Sequence, residues 1–106
     1  MGGQWIDVGS ADDLKSGRTL SVEVDGDAVV VALCADGYHA IEDRCTHDGE
    51  PLSGGEVEAG YCEIICPRHF AHFCLKTGAA LSPPAYEPVR TYEVKAENGR
   101  LLVKTP

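Results

Sequence analysis

Hydrophobic and polar residues alternate through most of this chain, and that period of two predicts β-strands. QWIDV (4–8) reads as a first strand. TLSVEV (19–24) puts Leu20, Val22 and Val24 on one face and Ser21 and Glu23 on the other. AVVVALC (28–34) and YHAIE (38–42) follow, with turns at DGD (25–27) and ADG (35–37), which makes a three-stranded meander. Before it, SADDLKSG (10–17) predicts one short helical turn, with Ser10 as N-cap, acidic residues next and Gly17 as the stop. At the far end RTYEVKA (90–96) and RLLVK (100–104) flank Asn98-Gly99, a strong hairpin signal.

Between these regular parts the pattern breaks. From Cys45 to about Pro88 the chain is rich in Gly and Pro, with only short strand-like pieces at EVE (56–58), EIIC (63–66) and HFCL (72–75). The expectation is a single all-β domain over 1–106, an antiparallel β-sandwich or partial barrel. A small loop-rich subdomain, approximately 44–88, is inserted between its strands.

At 106 residues, 43% of them apolar, the chain has room for a modest core but not also for a large substrate cavity. With 17 acidic against 9 basic residues its formal charge is −8, which argues against nucleic-acid binding and suits a partner with a basic face. MGGQWIDVGS has neither the basic start nor the apolar stretch of a signal peptide, and AVVVALCA (28–35) is too short to span a bilayer. A cytoplasmic protein is expected, monomeric and without membrane contact. Its five cysteines, an odd number, then predict reduced thiols rather than a disulfide framework.

Two of those cysteines are paired with histidines. Cys45 and His47 lie one residue apart in CTH, and Cys66 and His69 lie two apart in CPRH. Thiolate sulfur and imidazole nitrogen suit soft or borderline metals. The four groups could hold one tetrahedral zinc, as in a zinc-stabilised interaction module, or a two-iron, two-sulfide cluster. Spacing favours the cluster. Structural zinc sites usually pair like spacings of two to four residues, whereas here one residue separates the first pair and two the second. Nothing else in the chain suggests catalysis: there is no acid/base pair, nucleophile constellation or phosphate-cradling glycine loop.

CTH, eighteen residues and then CPRH closely resemble the Cys-x-His … Cys-x-x-His signature of Rieske proteins. The PLS that follows the first loop, KTG (76–78), the Pro-rich SPPAYEP (82–88) and the closing hairpin resemble the family too. The chain looks most like the small bacterial Rieske-type ferredoxins of ring-hydroxylating and other non-haem-iron oxygenase systems. The resemblance implies a 2Fe-2S cluster, with Cys45 and Cys66 on one iron and His47 and His69 on the other. It implies an electron carrier, not an enzyme, between an NAD(P)H-dependent flavin reductase and a terminal oxygenase, both docking near His47 and His69. An accessory role in iron–sulfur assembly is the alternative it allows. A nitrite-reductase small-subunit-like domain shares the fold but usually lacks the four ligands present here.

The chain departs from high-potential relatives in ways that bear on redox potential. Glu50 and Arg68 replace a pair of loop cysteines that form a disulfide there, and Ala71 and Phe73 replace a serine and a tyrosine that donate to cluster sulfurs. Without those donors the potential is expected near the low end of the Rieske range. Pro51 and Pro83-Pro84 are expected to cover the cluster, and Phe70 to shield it. His72 and His39 read as strand residues outside the redox chemistry, and Cys34, Cys62 and Cys74 as small buried hydrophobes.

Overall fold

The computed structural model describes residues 3–46, 49–68 and 70–105. Among these residues ten strands form three antiparallel sheets: β1 (Trp5–Ser10), β2 (Thr19–Val24), β3 (Asp27–Cys34), β4 (Gly37–Glu42), β5 (Val57–Glu58), β6 (Glu63–Ile65), β7 (His72–Cys74), β8 (Thr91–Tyr92), β9 (Val94–Glu97) and β10 (Arg100–Lys104). Their orders are β1-β10-β9, β2-β3-β4-β8 and β5-β6-β7. Ser10 caps a single 3-10 turn at Ala11–Asp13, its hydroxyl accepting from the Asp12 N–H at 3.2 Å.

The meander sheet is the middle layer, and β3 shows why. Val29, Val30, Val31 and Ala32 are all fully buried, as a strand covered on both faces requires. Val30, Ala32 and Cys34, with Ile41 of β4, join the core that holds Ile64, Phe73 and Leu75 from the β5-β6-β7 side. Val29 and Val31, with Ala40, join Leu101 and Val103 of β10 in the other core. Alternation along one strand thus sorts the apolar residues into two cores, and the loop-rich segment packs on one face of the middle sheet.

The expected single strand over 90–96 is instead two. Thr91 and Tyr92 pair with Ile41 and Ala40 in the middle sheet, whereas Val94–Glu97 pairs with β10. Glu93 is the corner at which the chain changes sheets, and its carbonyl accepts from the Lys104 N–H at 2.9 Å. The sheets do not close into a barrel.

Gly78 and Gly99 share a φ of 77°, but a Cβ at Gly78 would run into the carbonyl oxygen of Val89, while one at Gly99 meets nothing within 4 Å. Gly99→Ala should cost about 1 kcal/mol, the strain of a left-handed residue alone, and Gly78→Ala about 3 kcal/mol because backbone must also shift. Urea titration of both variants checks this; equal costs would contradict the packing described.

Candidate metal centre

Two loops carry the expected ligands, and they are closed by the same pair of backbone hydrogen bonds. In the first, the Gly49 N–H donates to the Cys45 carbonyl (2.7 Å) and the Cys45 N–H to the Glu50 carbonyl (2.7 Å). In the second, the Phe70 N–H donates to the Cys66 carbonyl (2.9 Å) and the Cys66 N–H to the Ala71 carbonyl (2.8 Å). Both closures need a left-handed residue four places after the cysteine: Gly49 at φ 78° and Phe70 at φ 63°. Glycine takes that conformation freely, whereas at Phe70 the loop imposes it on a bulky side chain. Cys45 and Cys66 are fully buried at the loop bases, in one core with Leu52, Ala71 and Phe73, while Gly49, Pro67, Arg68 and Phe70 stand exposed at the tips. His47 and His69 lie outside the described residues.

A third loop, Cys74 to Ala79, is closed identically: Gly78 N–H to the Cys74 carbonyl (2.7 Å) and Cys74 N–H to the Ala79 carbonyl (2.9 Å). Burial pushes the Cys74 thiol up, but the Thr77 hydroxyl and the N–H groups of Thr77 and Lys76 outweigh it and hold the thiol below its ordinary value. In this third loop the donors turned toward the sulfur favour its thiolate.

The first loop is braced from below by Asp43, the one buried charged residue among the described residues. Its carboxylate accepts from the N–H groups of Leu52 and Ser53 (2.7 Å each) and from the hydroxyls of Ser53 (2.7 Å) and Ser21 (3.1 Å). Those bonds gather both ends of the loop, residues 43 and 52–53, onto strand β2. On the open side the Thr46 hydroxyl donates to the Glu87 carbonyl (2.7 Å), joining the loop to the Pro-rich segment with its cis Pro83-Pro84 bond. Sequence reading passed over Asp43; an acidic residue two places before Cys45 is a signal only once its bonding to 52–53 is known.

Residues 4–93 match the Rieske [2Fe-2S] domain. The chain belongs to that family. Over 100 residues, 94% of each chain, this Rieske protein is 35% identical to the ferredoxin component of the naphthalene 1,2-dioxygenase/salicylate 5-hydroxylase systems of Ralstonia sp. It superposes on the ferredoxin of carbazole 1,9a-dioxygenase from Nocardioides aromaticivorans IC177 with a TM-score of 0.91, at 35% identity, covering 97% of this chain and 99% of that one. A chain in a complex of reduced oxygenase and oxidized ferredoxin in carbazole 1,9a-dioxygenase is 32% identical, with a TM-score of 0.85 and coverage of 94% and 92%. The cofactor of this Rieske domain is a 2Fe-2S cluster.

The expectation for the other cysteines needs correction. Cys34 and Cys62 are buried, as expected of small hydrophobes, but they are joined in a disulfide across 5.4 Å between Cα atoms. An odd cysteine count could not reveal this, because the pairing is made in three dimensions: Cys34 ends β3, and Cys62 enters β6 from a left-handed turn at φ 55°. The bond ties the middle sheet to the cluster-side sheet. Cys74 is half-buried and stands outside it. His39 and His72 are strand residues as expected, held by Asp36 and Glu63 at 3.0 Å each.

Asp43→Ala would strand the buried Leu52 N–H and that of Ser53, costing about 2–6 kcal/mol at ~1–3 kcal/mol per orphaned donor. Asp43→Asn keeps an acceptor and should cost less than half as much. Urea unfolding of cluster-loaded protein, with visible absorbance read alongside, checks both. An alanine variant as stable as the parent would show that Asp43 does not brace the loop.

Proposed function

We propose that this chain is a soluble, low-potential one-electron carrier of a multicomponent oxygenase system. It would receive electrons from an NAD(P)H-dependent flavin reductase and deliver them to a terminal ring-hydroxylating oxygenase. The observation that carries the reading is the pair of identically closed loops, each with a buried cysteine at its base and an exposed tip. Cys45 and Cys66 would hold one iron, and His47 and His69 the other. The single domain would divide into a scaffold and a cluster-binding subdomain over 44–88. When bound, the cluster supplies reversible one-electron transfer.

The chain's own residues set what that transfer does. Buried Cys45 and Cys66 keep water from the inner ligands. Ala71 and Phe73, both fully buried beside them in the core, offer no hydroxyl to the cluster sulfurs, which leaves the more negative reduced state less stabilised. At the same end Phe70 (70% exposed) and Tyr86 (81%) present apolar rings around the loops, a docking rim for both partners. The net charge of −8 suits a partner with a basic face. No helix among the described residues is long and apolar enough to cross a membrane, and the proposed setting is a cytoplasmic monomer.

Redox titration should give a midpoint near the low end of the Rieske range, about −150 mV, and Phe73→Tyr should move it upward. A parent midpoint well above zero, or a tyrosine variant that does not shift, would count against this account of the potential. Phe70→Ala should leave the visible spectrum unchanged and slow electron transfer to a ring-hydroxylating oxygenase in stopped-flow mixing. Unaltered transfer would remove the rim from the proposal.

A further inference from the structure

A second set of metal-ligating side chains lies at the opposite end of β3 from Asp43. Cys34, Asp36, His39 and Cys62 each offer one ligand atom, and all four atoms lie within 4.8 Å of one another. Three of them share the β3–β4 hairpin as Cys34-x-Asp36-x-x-His39, and the fourth arrives from the turn before β6. The Ala35 N–H donates to the Ala59 carbonyl (3.1 Å) and the Leu75 N–H to the Cys62 carbonyl (2.8 Å). These backbone bonds hold the two cysteines opposite one another whether or not the sulfurs are joined.

We propose that the reduced form of this group is a zinc site, opened and closed by the Cys34–Cys62 disulfide. A dithiol reductant transfers two electrons and two protons, breaking the S–S bond, leaving two thiols and itself becoming a disulfide. A zinc ion then displaces the two thiol protons. Two thiolates, one imidazole and one carboxylate make a four-coordinate set that zinc accepts, with ligand atoms about 3.3–3.8 Å apart in a tetrahedron. Cys34 and Cys62 are buried, at 3% and 1% exposure, while Asp36 and the His39 side chain reach solvent and give the ion its entry path.

The surroundings fit the charge. Zinc with two thiolates and one carboxylate carries −1, and the Lys76 ammonium lies 2.9 Å from the second oxygen of Asp36. Lys76 thus neutralises the site and orients the carboxylate as an outer partner. The first oxygen of Asp36 already meets the His39 Nε2 at 3.0 Å, so both groups are aimed at one point. In a reducing compartment the dithiol is the prevailing form, and zinc would then replace the disulfide as the tie between the middle sheet and the cluster-side sheet.

The test uses cluster-loaded protein, phosphine-reduced or left oxidised, passed through gel filtration after exposure to zinc chloride, with zinc counted per chain and visible absorbance monitoring the cluster. The reduced chain should hold one zinc with the cluster spectrum intact, and the oxidised chain none. His39→Gln and Asp36→Asn, both at solvent-reaching positions, should each weaken zinc by about tenfold or more in competition with a chromogenic chelator. Cys34→Ser/Cys62→Ser should abolish uptake; if that variant does not fold, the two surface variants decide. No zinc on the reduced chain, equal zinc in both states, uptake that bleaches the cluster, or uptake indifferent to His39 and Asp36 would each overturn the proposal.

Discussion

Four short backbone hydrogen bonds set the geometry on which the site depends. Each ligand loop is pinned to its own first residue by one N–H four places on and sealed by a second bond five places on. This closure puts the cysteine at the base, buried, with Gly49 exposed in the first loop and Pro67, Arg68 and Phe70 in the second. The same closure recurs at Cys74, where Thr77 and Lys76 hydrogen-bond the sulfur. A metal centre needs its ligands held before the metal arrives, since loops that must be ordered by binding spend affinity on their own entropy.

The loops are held in turn by a layered scaffold. Asp43 gathers the ends of the first loop with four hydrogen bonds, one of them to β2 of the middle sheet. The second loop joins β6 to β7, whose neighbours Ile64 and Phe73 are fully buried against the same middle sheet. Cys34–Cys62 and the Ala35–Ala59 bond add a tie at the other end of that interface. A carrier that exchanges one electron per encounter gains from such stiffness, because little has to reorganise when the charge changes.

Much of this was legible in the residues. Strand-like runs bounded by turn signals located β2, β3, β4 and β10 within a residue, and the unbroken apolar run of β3 is explained by cores on both its faces. Local pattern failed where tertiary partners decide. RTYEVKA alternates without interruption, yet Glu93 turns it between two sheets, because Tyr92 has Ala40 as its partner and Val94 has Val103. The Cys34–Cys62 bond and the Asp43 brace both join residues far apart in sequence, and no spacing rule announces either. At the candidate metal centre, the four-residue signature supplied the proposed ligands; the loop closures that present Cys45 and Cys66 emerge only from the backbone. His47 and His69 rest on the signature alone.

Those two histidines are therefore the point at which the account is most directly tested. Pulsed electron–nuclear double resonance on reduced, cluster-loaded protein grown with nitrogen-15 histidine reads nitrogen bound to the spin-bearing iron. The account predicts two strongly coupled imidazole nitrogens, with His47→Ala and His69→Ala each disrupting that signal. A reduced cluster with no coupled histidine nitrogen would contradict it.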